Sequence, residues 1–186
     1  MRRAVALLAG LLLLSGCVPN AREPAELALV RVLGVDGGGP VTLTAVCGGS
    51  DQEKFQKGAS TGVNFQDAKA KLPWSGREEM SLTSVSYLLV GEDADLHALA
   101  IAVLNDPELG GSATVWLAAE GAETLLRRCD DPASDLELLT RAGVQAPTVV
   151  QIAASLAAGG QATLPQVAER NGRLEEQGET VWKQNG

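Results

Sequence analysis

The sequence predicts an α/β (α+β) fold in which helices flank a mixed β-sheet. Two patterns lead to this prediction. Near residue 38, glycine-rich turn chemistry separates two strand-like runs, which is typical of a β-hairpin. Further along the chain, a helix-like run lies between two apolar runs, which is the pattern of a β-α-β unit. Hydrophobic residues make up 45% of the chain and aromatic ones 3%, so the predicted core is aliphatic.

The β-hairpin is predicted over residues 27–47. Residues 27–35 are rich in Leu and Val, and residues 41–47 alternate apolar residues with Thr. Residues 36–40 read Asp-Gly-Gly-Gly-Pro, which favours a turn because glycine adopts positive φ at no steric cost. A glycine-rich loop can also bind phosphate, but here no helix and no Lys-Ser/Thr pair follow it. The turn interpretation is therefore favoured.

A loop, a short helix and a second loop are predicted next. Residues 48–62 are small and polar, which favours a surface loop. Phe65, Ala68 and Leu72 share one face of a predicted helix that Pro73 stops. In the loop over residues 73–79, Trp74 either marks a binding surface or packs on the edge of the core, and core packing is favoured.

The β-α-β unit is predicted to consist of parallel strands 85–90 and 113–118 with a helix between them. The helix runs to about Asn105, and the residues predicted to face inward are Leu96, Leu99, Ala100, Val103 and Leu104. Asp93 is predicted to cap the helix. Glu92, Asp93 and Asp95 could instead bind a cation, but no EF-hand spacing supports this. His97 is predicted to be a partly exposed helix residue, not a catalytic one.

Three helices and two closing strands are predicted in the last third of the chain. A helical run covers residues 120–129, Ser134 is expected to cap the next helix, and Pro147 to open a third. Residues 163–168 and 180–182 are predicted strands, with Asn171-Gly172 turning between them. The polar residues 173–178 favour either a strand edge or a loop.

Cys47 and Cys129 are predicted to be buried thiols instead of disulfide partners. Cys47 ends a strand pattern and Cys129 ends a helical run, and nothing in the sequence brings them together. No C-x-x-C or Cys/His spacing is present, and the chain has one histidine, so no metal site and no cofactor are expected. An enzyme is the least supported class, because no Ser/His/Asp or Cys/His arrangement stands out.

Residues 1–17 have the pattern of an export signal that ends in a cysteine. Arg2 and Arg3 precede eleven apolar residues, which as a helix rise only about 16 Å and are too short to span a bilayer. The run Leu14-Ser15-Gly16-Cys17 resembles a bacterial lipobox, in which signal peptidase II cleaves before a cysteine that carries diacylglycerol. The resemblance implies a signal peptide over 1–16, lipid attachment at Cys17, a tether over 17–25 and a single domain over 26–186. An ordinary signal peptide with a chance cysteine is the alternative.

The net charge of the chain indicates how it is expected to attach to a membrane. Removal of the predicted signal peptide takes away Arg2 and Arg3. The rest of the chain has 13 of the 15 basic residues and all 23 acidic ones, which gives a net charge of −10. Such an acidic surface argues against a nucleic-acid partner and against electrostatic binding to anionic lipid. Acyl chains on Cys17 are therefore the expected attachment, and two or more of them make a stable anchor.

Segments along most of the chain follow a recognisable order. After the lipobox come residues 26–36, with Leu-Gly-Val-Asp before the turn, then Phe65 with its helix, and then residues 88–93, which end in Gly-Glu-Asp. Asp106-Pro107-Glu108 precedes a strand that reads Thr-Val-Trp-Leu-Ala-Ala, and Leu164-Pro165 leads to residues 178–186. In this order the segments resemble the N-terminal domain of the Ger(x)C family, the lipoprotein C subunits of bacterial spore germinant receptors.

The resemblance implies a non-enzymatic accessory or scaffold subunit on the outer face of the spore inner membrane. Its partners would be polytopic receptor subunits, one of which recognises small nutrients, while direct small-molecule binding is not expected of this subunit. Only Cys17 carries over as a functional position. The alternative function is a lipid-anchored extracytoplasmic protein that itself binds a small ligand, in a cleft between Trp74, Tyr87 and Trp116.

Overall fold

In the computed structural model, the described residues are 27–48, 56–72 and 79–182, and they form an eight-stranded mixed sheet with five α-helices. The predicted lipobox, including Cys17, and Trp74 lie outside the described residues. The strands are β1 (Leu27–Asp36), β2 (Val41–Gly48), β3 (Gln56–Gly62), β4 (Glu79–Ser81), β5 (Tyr87–Gly91), β6 (Thr114–Ala118), β7 (Ala162–Arg170) and β8 (Arg173–Trp182). The helices are α1 (Phe65–Ala70), α2 (Leu96–Leu104), α3 (Ala122–Arg128), α4 (Pro132–Arg141) and α5 (Val149–Ala157).

The strand order is β3-β2-β1-β5-β6-β7-β8, and the short β4 pairs with β1. β1, β5, β6 and β7 run parallel to one another, whereas β2, β3 and β8 are each antiparallel to their neighbours. The predicted hairpin is confirmed, because Val35 pairs with Leu43 across an antiparallel ladder. The predicted β-α-β unit is also confirmed, since β5 and β6 are parallel neighbours joined through α2.

Helices cover both faces of the sheet and bury two aliphatic cores. On the first face, α1, α2 and α5 contribute residues such as Phe65, Leu99 and Ile152. On the second face, α3 and α4 contribute Leu126 and Leu136. A sheet covered on both sides explains why its central strands read as continuous apolar runs instead of alternating ones.

A β-bulge in β1 and a glycine beyond it fix how the second face is packed. The register shifts between Val30 and Val32, so Val30 and Leu33 both face the first core while Val32 faces the second. Past the bulge, a Cβ on Gly34 would lie 2.7 Å from Leu126 Cδ1. The glycine therefore lets α3 lie directly on β1.

The predicted surface loop over residues 48–62 is wrong, because residues 56–62 form strand β3. The small residues that favoured a loop are those that allow α1 to approach this strand. Ser60 Oγ donates a hydrogen bond to the Ala68 carbonyl at 2.6 Å, and a Cβ on Gly62 would clash with the backbone of Ala68. A tertiary contact thus overrides the local preference of these residues.

Three helix starts differ from the predictions. Asp95, not Asp93, caps α2 by accepting from the Ala98 amide at 2.9 Å. Asp131, not Ser134, caps α4, with Pro132 as the first helical residue. The third helix begins after a capping box, not at the predicted Pro147.

That capping box is formed by Thr148 and Gln151 at the start of α5. Elsewhere in the chain, one prediction is wrong and one open alternative is decided. Leu104 on α2 is 44% exposed and does not face inward as predicted. Residues 173–178, left open between a strand edge and a loop, belong to β8, and Asn171-Gly172 forms the predicted turn before it.

Candidate functional site

Acidic residues gather where the parallel strands end. Asp36 is the last residue of β1, Glu92 and Asp93 follow β5, and Glu120 lies two residues after β6. Because these strands are parallel neighbours, their carboxyl ends meet at one end of the sheet. In open α/β sheets this is the end at which ligands are bound.

Asp36 caps a helix that begins far away in the sequence. Its Oδ1 accepts from the Ala122 amide at 2.6 Å and its Oδ2 from the Glu123 amide at 2.7 Å. Burial raises the pKa of Asp36; the two amide hydrogen bonds oppose this effect, and the negative charges of Asp93 and Glu123 add to it. Both oxygens are thus engaged in holding the first turn of α3 against the end of β1.

Asp93 and Asp95 also bind backbone amides. Asp93 Oδ1 accepts from the Gly37 amide at 3.0 Å and so fixes the β1–β2 turn to the loop after β5. Asp95 caps α2. Among the residues that the structure describes, no group of three or more His, Cys, Asp or Glu side chains is placed to hold a metal ion.

Beside the β1–β2 turn lies a cavity of about 220 Å³. Its walls are apolar and come from the end of β1, the start of β2 and the facing sides of α1 and α2; Val41, Phe65 and Leu99 are each at most 9% exposed. The exposed side chains of Asn64 and Asp95 stand at its mouth. A largely apolar hollow with a few convergent polar groups has the composition of a small-ligand site.

An ion pair holds the two helices around this cavity. Lys69 Nζ, on α1, lies 2.7 Å from Asp106, which follows α2, and 2.9 Å from Glu108. The Asp106 side chain is 1% exposed and also accepts from Gln66 Nε2, a cavity residue, at 3.3 Å. Burial alone would raise the pKa of Asp106, but hydrogen bonds from Lys69, the Glu108 amide and Gln66 together lower it.

A second concave surface is wider and more polar. It is an open groove of about 890 Å³ between α5 and β7, lined by residues that include Gln151, Ser155 and Glu179. Polar surface exceeds apolar surface in this lining, whereas the first cavity is mostly apolar. The cavity at the carboxyl end of β1 is therefore the better candidate for a ligand site.

The two cysteines lie on opposite faces of the sheet. Cys47 belongs to the first core and Cys129 to the second, both are buried, and no disulfide joins them. The prediction of two buried thiols is therefore confirmed. Burial, with the nearby Asp135 carboxylate, raises the pKa of Cys129 to about 12, so this thiol is protonated and unreactive at neutral pH.

The cleft predicted between Trp74, Tyr87 and Trp116 is not formed as expected. Trp116 is fully buried in the second core, and its Nε1 donates to Thr114 Oγ1 at 3.1 Å. Tyr87 packs half-buried against the same core, and Trp74 lies outside the described residues. A tryptophan with no exposed surface cannot line an open cleft. His97 is half-buried on α2, as predicted.

Comparisons of the chain with protein-family models, curated proteins and solved structures found no match. In the described part of the chain, no helix combines the length and apolarity needed to cross a membrane.

Proposed function

We propose that this protein is a membrane-anchored lipoprotein that acts as a non-enzymatic accessory subunit of a spore germinant receptor, as its resemblance to the Ger(x)C family implies. In this proposal, lipid on Cys17 holds the domain at the extracytoplasmic face of the membrane, where it contacts polytopic receptor subunits. The proposal is carried by one observation: in the segments that resemble the family, acidic side chains bind groups in other elements of the fold.

Each of these acidic residues joins two elements of the fold. Asp36 binds two amides of α3, Asp93 binds the Gly37 amide, and Asp106 pairs with Lys69. A catalytic carboxylate needs an oxygen within reach of the proton it moves. Carboxylates engaged in joining elements instead build the shape of the domain, which supports presentation of a surface to partner proteins.

The distance from Cys17 to the sheet supports close attachment to a bilayer. Leu27, at the start of β1, follows Cys17 by ten positions, so the connecting chain reaches at most about 35 Å. The amino ends of the parallel strands are therefore the part of the domain tethered near the lipid. The cavity lies at the opposite end of β1. Since the chain is acidic, the acyl chains and not surface charge provide the attachment.

Lipid attachment is tested by comparing Cys17→Ala with Cys47→Ala in the native host. Metabolic labelling with a palmitate analogue and membrane fractionation are the readouts. We expect Cys17→Ala to lose the label and either leave the membrane fraction or keep its uncleaved signal peptide. We expect Cys47→Ala to keep the label, the cleavage and the membrane location. Label that persists in Cys17→Ala, or label lost in Cys47→Ala, contradicts lipid attachment at Cys17.

The partner subunits are tested separately, by affinity purification of the tagged protein from detergent-solubilised spore membranes. We expect polytopic membrane proteins to co-purify, and we expect a deletion strain to germinate slowly with nutrients but normally with a receptor-independent chemical trigger. A protein that purifies alone, together with normal nutrient germination in the deletion strain, overturns the accessory-subunit proposal.

A further inference from the structure

The cavity beside the β1–β2 turn has room for a small molecule. Its volume is about 220 Å³. A dry apolar cavity of about 150 Å³ already holds benzene, so this one suits a ligand of roughly six to nine non-hydrogen atoms. The buried side chains of Val35, Phe65 and Leu99 form much of its wall. The ligand must therefore have an apolar body.

The rim of the cavity is held in place before any ligand arrives. On one side, the Gly37 amide is bonded to Asp93, which fixes the β1–β2 turn. On the other side, Lys69 and Asp106 tie α1 to the end of α2. Since ordering a loop on binding reduces affinity, a rim with these fixed contacts favours binding.

The charge at the mouth selects the kind of polar group that the ligand carries. Asp95 is the one charged side chain among the described residues that line the cavity. Its Oδ1 accepts from the Ala98 amide, which already satisfies the amino end of α2, while Oδ2 accepts no hydrogen bond from the described residues. Asp93 lies beside the same turn, and the nearby Lys69 is neutralised by its own two carboxylates. The mouth is therefore negative and attracts a cation.

We propose that this cavity binds a small primary amine with a compact apolar body. The ammonium group lies at the mouth, where it donates to Asp95 Oδ2. The apolar body lies inside, against Phe65 and Leu99. This site goes beyond the accessory function proposed above and depends neither on lipid attachment nor on partner subunits.

The chain offers a specific probe of this cavity, because it contains two phenylalanines, Phe55 and Phe65, and Phe65 lines the cavity. Incorporation of para-fluorophenylalanine gives two fluorine resonances, which Phe55→Leu assigns. The full-length protein, in nanodiscs of zwitterionic lipid, is titrated with isopentylamine, isopentanol and isovalerate, which share one branched carbon skeleton. We expect the amine to shift the Phe65 resonance saturably and to bind about two- to fivefold more tightly than the alcohol. We expect isovalerate to bind more weakly than either.

Three variants locate the site. Asp95→Asn keeps a side chain that caps helices equally well but removes the charge, so amine and alcohol should bind alike. Ala102→Leu, within the cavity wall, should weaken amine binding at least about tenfold by filling the space. Ala157→Leu on α5 is the matched control: this alanine is exposed and outside the lining, and binding should not change.

Each result decides the proposal. Absence of a saturable Phe65 shift up to about 10 mM amine overturns the site, since even weak fragments bind in this range. Equal binding of amine and alcohol by the unmodified protein, or an unchanged preference in Asp95→Asn, overturns the role of Asp95. An equal loss of binding in Ala102→Leu and Ala157→Leu overturns the location in the cavity.

Discussion

Lys69 Nζ lies 2.7 Å from both carboxylate oxygens of Asp106 and thereby joins α1 to the segment after α2. The two side chains are 18% and 1% exposed, so the pair is largely shielded from water. Removal of one member of such a pair leaves a buried charge without its partner, which destabilises a protein far more than the loss of an exposed pair.

Lys69→Met should therefore destabilise the folded protein by about 2 to 3 kcal/mol, since Gln66 and the Glu108 amide still bind Asp106. Urea unfolding followed by circular dichroism measures this difference. Lys71→Met is the matched control on the same helix, because it breaks an exposed pair with Asp67 and should cost less than about 0.5 kcal/mol. Similar losses in both variants contradict the structural role of the Lys69–Asp106 pair.

The same pair should make stability depend on acid pH. The pKa of Asp106 is lowered in the folded protein, so the unfolded chain takes up the proton first as the pH falls. The stabilisation that ionised Asp106 contributes is therefore present above the pKa of about 4 that this residue has in the unfolded chain. It is lost as the pH falls through the lower pKa of Asp106 in the folded protein. The raised pKa of Asp36 has the opposite sign and favours the folded state on acidification.

Urea unfolding of the unmodified protein and of Lys69→Met separates the effect of Asp106 from that of Asp36. Asp36 contributes equally to the stability of the two proteins, so its effect cancels in the difference. The stability difference between the two proteins should be constant near neutral pH and should shrink below about pH 4. A difference that stays unchanged down to about pH 2 contradicts the assignment to Asp106.

Cys129 should resist alkylation in the folded protein. Its thiol is fully buried, and with a pKa of about 12 only about one molecule in 10⁴ carries a thiolate at pH 8. A short pulse of iodoacetamide followed by peptide mass spectrometry should find Cys129 unmodified without urea and modified with it. Peptide mapping separates it from Cys47. Equal labelling rates with and without urea contradict the buried position.

Asp36→Ala should destabilise the protein by about 1 to 2 kcal/mol, because two amides at the start of α3 lose their acceptor. Asp36→Asn retains one acceptor oxygen and should lose less. Chemical unfolding of both variants measures the order of the effects. An Asn variant that is as unstable as the Ala variant contradicts the capping role of Asp36.

The sequence predicts those parts of the fold that local chemistry determines. The turn over residues 36–40 defines the hairpin, and the apolar runs around α2 define the parallel unit. Strand β3 could not be predicted in this way, because its small polar residues fit the approach of α1, a contact that no local pattern records. The caps Asp95 and Asp131 were missed for a different reason: several residues that can cap a helix lie close together in each segment, and composition alone does not select one of them.

The candidate site was harder to predict than the fold. Its cavity combines the end of β1 with residues of α1 and α2. These segments are brought together by the pairing of β1 with β2 on one side and with β5 on the other. Lys69 and Asp106 stand 37 residues apart in the sequence, and nothing in either segment points to the other. Asp36 was visible as an acidic residue directly after a strand, yet its partners belong to a helix that begins 86 residues later.

Gly34 gives a test of how closely α3 lies on β1. In a strand interior, replacement of glycine by alanine ordinarily helps, because it restricts the unfolded chain. Here the added Cβ would lie 2.7 Å from Leu126 Cδ1 and 3.1 Å from Ala122 Cβ, so Gly34→Ala should instead destabilise the protein by about 1 to 3 kcal/mol. Gly110→Ala, at an exposed loop position with no atom closer than 3.4 Å, is the control and should be neutral or slightly stabilising.

A double-mutant cycle with Leu126→Val identifies the clash as the cause. The smaller side chain removes the atom nearest to the new Cβ, so the double variant should be less destabilised than the sum of the two single variants. Urea unfolding of all four proteins gives the coupling energy, which we expect to be about 0.5 to 2 kcal/mol and favourable. Strictly additive effects would mean that α3 shifts away from the sheet at no measurable cost, and would contradict close packing of α3 on Gly34.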